Sequence, residues 1–198
     1  MASPAEPSQK PRIAFISGPI DTGPDEAYFN THYKPHIDTA INSGHNFVIG
    51  PITSGIDADA LTYLLEYPIS PSRITIFMTV AEDNAWGQEF RDRRVNVYVL
   101  EDIMANSQNR DAEMTAQSDY DILRWRTENE ARGFYGPLYR EGHLTNTERN
   151  WRRRRGVGFG EVLSEEDYRK LGYEGLIGDS TGETGTWRRI KDKLKGSK

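Results

Sequence analysis

Cysteine is absent from the 198 residues, which removes disulfides, thiolate metal sites and thiol nucleophiles at a stroke. Zinc fingers and cysteine hydrolases are excluded. Long apolar runs are missing too: none approaches the ~20 residues of a membrane-spanning helix, and Met1 to Pro11 lacks the apolar centre of a signal peptide. The expected location is the cytoplasm, with no membrane partner. Positive charge is not in excess; the formal net charge is −5, which argues against a general nucleic-acid binder, although acidic residues crowd the middle and basic ones the end. Histidines number four. His32 and His36 share a spacing that suits zinc on a helix face, but no third ligand stands near them, so surface histidines are expected and no metal or cofactor is.

What the chain does contain, 36% hydrophobic and 11% aromatic residues, is enough for one α/β domain with its own core. Residues 1–11, rich in proline and small polar residues, read as a flexible leader. A Rossmann-like domain is expected over 12–155, followed by a glycine-rich, basic extension over 156–198 in which the glycines imply loop and Trp187 to Lys198 a mobile tail. Short apolar runs mark strands at Ile13 to Ile16, Asn46 to Ile49, Arg73 to Met78, Val95 to Leu100 and Asp119 to Trp125. Helical spacing of Phe29, Tyr33, Ile37, Ala40 and Ile41 predicts a helix ending near Gly44, either kinked at Pro35 or broken into two pieces there. A second helix spans Asp57 to Tyr67, and Asn109 to Ser118 suits a third. The resulting order, β, α, β, α, β, β, α, β, predicts an open, mostly parallel sheet of about five strands with helices on both faces.

Two strand-then-glycine corners stand out: Ile13 to Ile16 running into Ser17, Gly18 and Pro19, and Phe47 to Ile49 running into Gly50, Pro51, Ser54, Gly55 and Asp57. Glycines after buried parallel strands let a backbone approach a ligand, and the next helix N-terminus offers unpaired N–H groups to a phosphate. Asp57 reads first as the N-cap of its helix and second as a ligand contact. Simple chain reversal explains one such corner as well; two on successive strands favour a site.

The segment Ile49-Gly-Pro-Ile-Thr-Ser-Gly-Ile-Asp-Ala-Asp-Ala60 resembles the glycine-Ile-Asp corner of the SLOG superfamily of Rossmann-like nucleotide-binding domains. That group includes DprA, the LOG phosphoribohydrolases and relatives of nucleoside 2-deoxyribosyltransferases. Ile16-Ser-Gly-Pro19 is similar to the opening corner of the deoxyribosyltransferase branch, and Met114 to Leu123 resembles the helix and strand before the last ligand-facing loop. The resemblance covers roughly Arg12 to Trp125 and implies a nucleotide-sized ligand. The Pro-Gly-Gly-x-Gly-Thr-x-x-Glu motif of LOG enzymes is not matched, and no secure counterpart of the deoxyribosyltransferase nucleophile stands out.

If the chain cleaves or transfers an N-glycosidic bond, it needs a carboxylate beside the sugar. Asp21 and Asp119 are the candidates, although a loop aspartate capping its own turn is the stronger reading of Asp21. Asp121 shares the predicted face of Asp119, and one of the two is expected to be a solvated edge residue. Thr145, Asn146 and Thr147 predict a helix cap aimed at a phosphate, with Arg149 or Arg152 in reach; a capped surface helix with a basic end fits as well. Four consecutive arginines, 152–155, cannot all face one ligand, so some are expected in solvent, on an acidic partner or on a nucleic-acid backbone. Three readings follow: a nucleotide-binding N-glycosidase or transferase, a non-catalytic nucleotide sensor, and a DprA-like binder of single-stranded nucleic acid. A homodimer is a further expectation, by analogy with related folds.

Overall fold

The computed structural model describes residues 10–67 and 69–173. Most of the expected leader and the tail from Trp187 lie outside them. Five strands, β1 (Ile13–Ser17), β2 (Asn46–Ile49), β3 (Ile74–Met78), β4 (Asn96–Val99) and β5 (Tyr120–Leu123), form one sheet in the order β4-β3-β2-β1-β5, and every adjacent pair is parallel. The Rossmann-like α/β fold read from the sequence is the observed one. The chain winds outward from β1 to β4 and then returns to lay β5 against the other side of β1, so the strand order reverses between β1 and β5.

Period-two alternation divides the strands between two cores. Ala14, Ile16, Phe47, Ile49, Ile74, Ile76 and Met78 face one side, packed with Phe29, Ile37, Ile56, Leu61, Leu64 and Phe90. Those partners come from α1 (Ala27–His32), α2 (Lys34–Asn42), α3 (Gly55–Glu66) and α4 (Val80–Asp92). Phe15, Val48 and Phe77 face the other side, against Met114 of α5 (Ser107–Ala116). Strands apolar on both faces require this two-sided cover.

The kink-or-break choice at Pro35 resolves into a break: α1 stops at His32, and Pro35 occupies the first turn of α2, where its missing N–H is harmless. α4 corrects the sequence reading, which placed no helix between the third and fourth strands. Its start was written in the chain as Thr79-Val-Ala-Glu82, a capping box: Thr79 Oγ1 accepts from Glu82 N and Glu82 Oε2 accepts from Thr79 N at 2.8 Å. The inserted helix makes β4 parallel to β3. A second unexpected helix, α6 (Glu128–Tyr135), starts from the same kind of box at Thr127 and Glu130.

The chain forms two compact units, one ending at Gly160 and the other beginning at Glu161. α7 (Asn146–Arg155) completes the first, as the sequence predicts. The second is not all loop: α8 (Glu165–Lys170) is capped by Ser164, and the Tyr168 and Tyr173 rings meet edge to face. No helix among the described residues is long and apolar enough to cross a membrane.

Candidate functional site

The two glycine corners do meet, but they meet each other. Gly55 has φ +65°, and a β-carbon there would collide with the carbonyls of Pro19 and Ile20. The Pro19 carbonyl in turn accepts the Ile56 N–H at 3.1 Å. The first corner therefore satisfies one of the open N–H groups of α3 that were expected to await a phosphate. Gly18 is small for a related reason: a side chain would run into Ile56 and the Tyr33 hydroxyl. That hydroxyl, fully buried, faces the carbonyls of Ser17 and Arg124 at 3.0 and 2.8 Å and accepts the Arg124 N–H at 2.9 Å. Tyr33 thus ties the carboxyl end of β1 to that of β5.

Gly50 is small so that a carboxylate can lie on it. A β-carbon at Gly50 would strike Asp57 Oδ2 and stand 3.8 Å from Arg110 Nη2. Asp57 is not the N-cap of α3; Ser54 is, without a side-chain bond of its own, and Asp57 falls in the first turn. Burial pushes the Asp57 carboxyl up to about 7, against the pull of the Arg110 guanidinium and with the neighbouring Asp111 charge adding to the rise.

Around Asp57 stands a polar cluster whose other members, Ser17 apart, were not singled out in the sequence. Arg110, 5% exposed, pairs with Glu82 and lies 3.1 Å from Asp111, while its Nε is buried without a hydrogen-bond partner among the described residues. Asn150, 2% exposed, donates to Ser17 Oγ at 3.2 Å and to Asp111 Oδ2 at 3.4 Å, and its carbonyl accepts from Arg153 at 2.7 Å. Burial also raises the Asp111 carboxyl, with Arg110 and Asn150 opposing. Ser17 comes from β1, Asp57 from α3, Glu82 from α4, Arg110 and Asp111 from α5, and Asn150 from α7, so five elements deliver their side chains to the carboxyl ends of β1 and β2. The available signals were the capping box at Thr79 and the cap at Asn106, which accepts from Gln108 N and Asn109 N and fixes Arg110 and Asp111 in the opening turns of α5.

Comparison with protein families, curated proteins and solved structures finds no match.

The remaining predicted residues stand apart. Asp119 accepts the Ile13 N–H at 2.6 Å at the amino end of β1, the opposite end of that strand from Ser17 and the cluster. Asp21 accepts the Gly23 N–H at 2.9 Å and is exposed, the self-capping alternative. Asp121 is not a solvated edge residue: burial pushes its carboxyl up, Arg154 opposes this from 2.7 Å, and Arg155 adds a contact at 3.3 Å.

Thr145 caps α7 by accepting from Glu148 N at 3.1 Å; Asn146 is exposed, Thr147 buried, and Arg149 points to the Leu144 carbonyl and, 5.5 Å away, the Phe159 ring. Arg152 pairs with the buried Glu148 and donates to the Gly158 carbonyl. With Arg153 on Asn150, all four arginines of the run have partners within the first unit. Arg152 is buried, while Arg153, Arg154 and Arg155 are half-buried and keep part of their surface in solvent, because 3.6-residue spacing sends consecutive residues to different faces of a helix that is itself packed on α5 and β5.

Proposed function

We propose that this protein binds a nucleotide or nucleoside phosphate at the carboxyl ends of β1, β2 and β5 and cleaves or transfers its N-glycosidic bond there. The observation that carries the reading is the convergence of Ser17, Asp57, Arg110, Asp111 and Asn150 beside the Gly50 corner, the place where open parallel sheets take their ligands. A departing base needs a proton, and a carboxyl titrating near neutrality can carry one at the pH of a cell. Asp57 is accordingly the acid, and Asp111, held by Arg110 and Asn150, is the carboxylate that can balance positive charge developing on the sugar carbon until water, or an acceptor base in transfer, bonds to it and gives up its proton. The likeness of the Ile49 to Ala60 corner to the SLOG group supports a nucleotide as ligand.

Sensing without turnover is the second reading, favoured by the contact between the two corners, which occupies the start of α3. One experiment separates the two. The protein is screened by thermal shift against nucleosides, nucleoside mono-, di- and triphosphates, ribose 5-phosphate, NAD and ADP-ribose, and each hit is incubated and assayed for released base. Release that Asp57→Asn abolishes and Asp21→Ala spares is the expected result. A shift without release selects the sensor. No shift at millimolar ligand overturns the nucleotide reading altogether.

A further inference from the structure

A groove of about 600 Å3 opens between α1 and α6, bounded by Thr22, Tyr28, His32, Arg126, Gly133 and Phe134. Its volume is that of a small-molecule site. One wall follows β1 in the chain and the other follows β5, so the groove sits where the strand order reverses. The loop Gly18 to Gly23 borders both this groove and the Gly55 corner, since Pro19 and Ile20 press on Gly55 while Thr22 and Gly23 line the groove.

Arg126 is the distinctive side chain. Its guanidinium carbon lies 4.8 Å from the Tyr28 ring centroid and 3.8 Å from that of Phe134, and Nη2 donates to the Asp21 carbonyl at 2.6 Å. Nη1 is shut off from solvent and has no hydrogen-bond partner among the described residues. A guanidinium nitrogen in that position is unfavourable unless an acceptor reaches it. Phe134, 40% exposed on a short helix, is the ring nearest to that guanidinium.

We propose that this groove holds the base of the nucleotide, its face on the aromatic rings and an oxo or ring-nitrogen acceptor on Arg126 Nη1. The inference rests on the nucleotide reading above. A phosphate fits the groove poorly: the aromatic walls would strip its water, and the Glu130 carboxylate, held below its usual range despite burial by Arg124 at 2.7 Å and the Thr127 N–H, adds a negative charge to the lining. A planar heterocycle loses little on dehydration and gains stacking with Tyr28, Phe134 and the guanidinium plane.

Gly133 offers the test, because it lines the groove and a β-carbon there meets nothing within 4 Å. Full-length protein, wild type and Gly133→Leu, is titrated with guanosine, adenosine, uridine and cytidine monophosphates and with ribose 5-phosphate. The expected result is at least a tenfold loss of the preferred mononucleotide in Gly133→Leu, with ribose 5-phosphate unchanged, and a weaker preference among bases in Arg126→Gln. Undiminished mononucleotide binding in Gly133→Leu, or a parallel loss of ribose 5-phosphate, overturns the base assignment while leaving the nucleotide reading standing. Failure of wild type to bind any mononucleotide overturns both.

Discussion

Asp57 is the residue on which chemistry and stability meet. Its folded carboxyl titrates near 7 while an unfolded aspartate titrates near its ordinary value of 3.8. Between those values the folded state holds more protons than the unfolded one, so stability falls as pH rises through this window and levels off above about 7. Asp57→Asn removes that dependence: its melting temperature should exceed that of wild type at pH 8, by a margin on the order of a few kcal/mol in free energy, and the two should converge toward pH 4. Melting curves from pH 4 to pH 8 check this, and a wild-type advantage at pH 8 would show that Asp57 is held by attraction and not by burial alone. Tyr33 makes the complementary case of a polar group that stabilises. Tyr33→Phe strands the Arg124 N–H inside the protein, and chemical denaturation should show a loss of about 1–3 kcal/mol with the fold intact.

At the scale of the element, much was legible because local chemistry and tertiary role agreed. All five strands announced themselves as short, largely apolar runs, and Gly44 and Gly156 close α2 and α7 with positive φ as their positions suggest. Helix α4 was missed because its apolar residues are few, Phe90 being its one large buried side chain, so its signal lay in the Thr79 box and not in periodicity. Thr79→Ala should therefore lower stability by about 1 kcal/mol in denaturant melts. The arginine run misled for the opposite reason: composition suggests an interface, whereas packing on β5 turns Arg154 and Arg155 inward to Asp121. Arg154→Met should lower the melting temperature and leave any retention on single-stranded DNA as it was. A salt-sensitive DNA affinity lost with Arg154 would restore the interface reading.

Across the whole molecule, the site was half visible. Ser17, Gly50, Gly55 and Asp57 lie on adjacent stretches whose pattern a reader of sequence can connect, but Asn150 reaches Ser17 across 133 residues and Arg110 reaches Glu82 across 28. Pairings of that range follow from the strand order and from where α5 and α7 dock, neither of which local propensity encodes. The same separation has a thermodynamic consequence. A cluster assembled from five elements exists only in the folded chain, so a ligand that binds it should not bind the unfolded state, and its full affinity should appear as stabilisation. At one hundred times its dissociation constant the gain is about 2.7 kcal/mol, with the melting temperature climbing further at higher concentration. Asn150→Ala separates this linkage from simple rigidity. It removes the donor shared by Ser17 and Asp111 and the acceptor of Arg153, so the variant should melt lower without ligand and gain less from nucleotide than wild type does. An equal nucleotide-induced shift in both proteins would place the ligand away from the Ser17 corner.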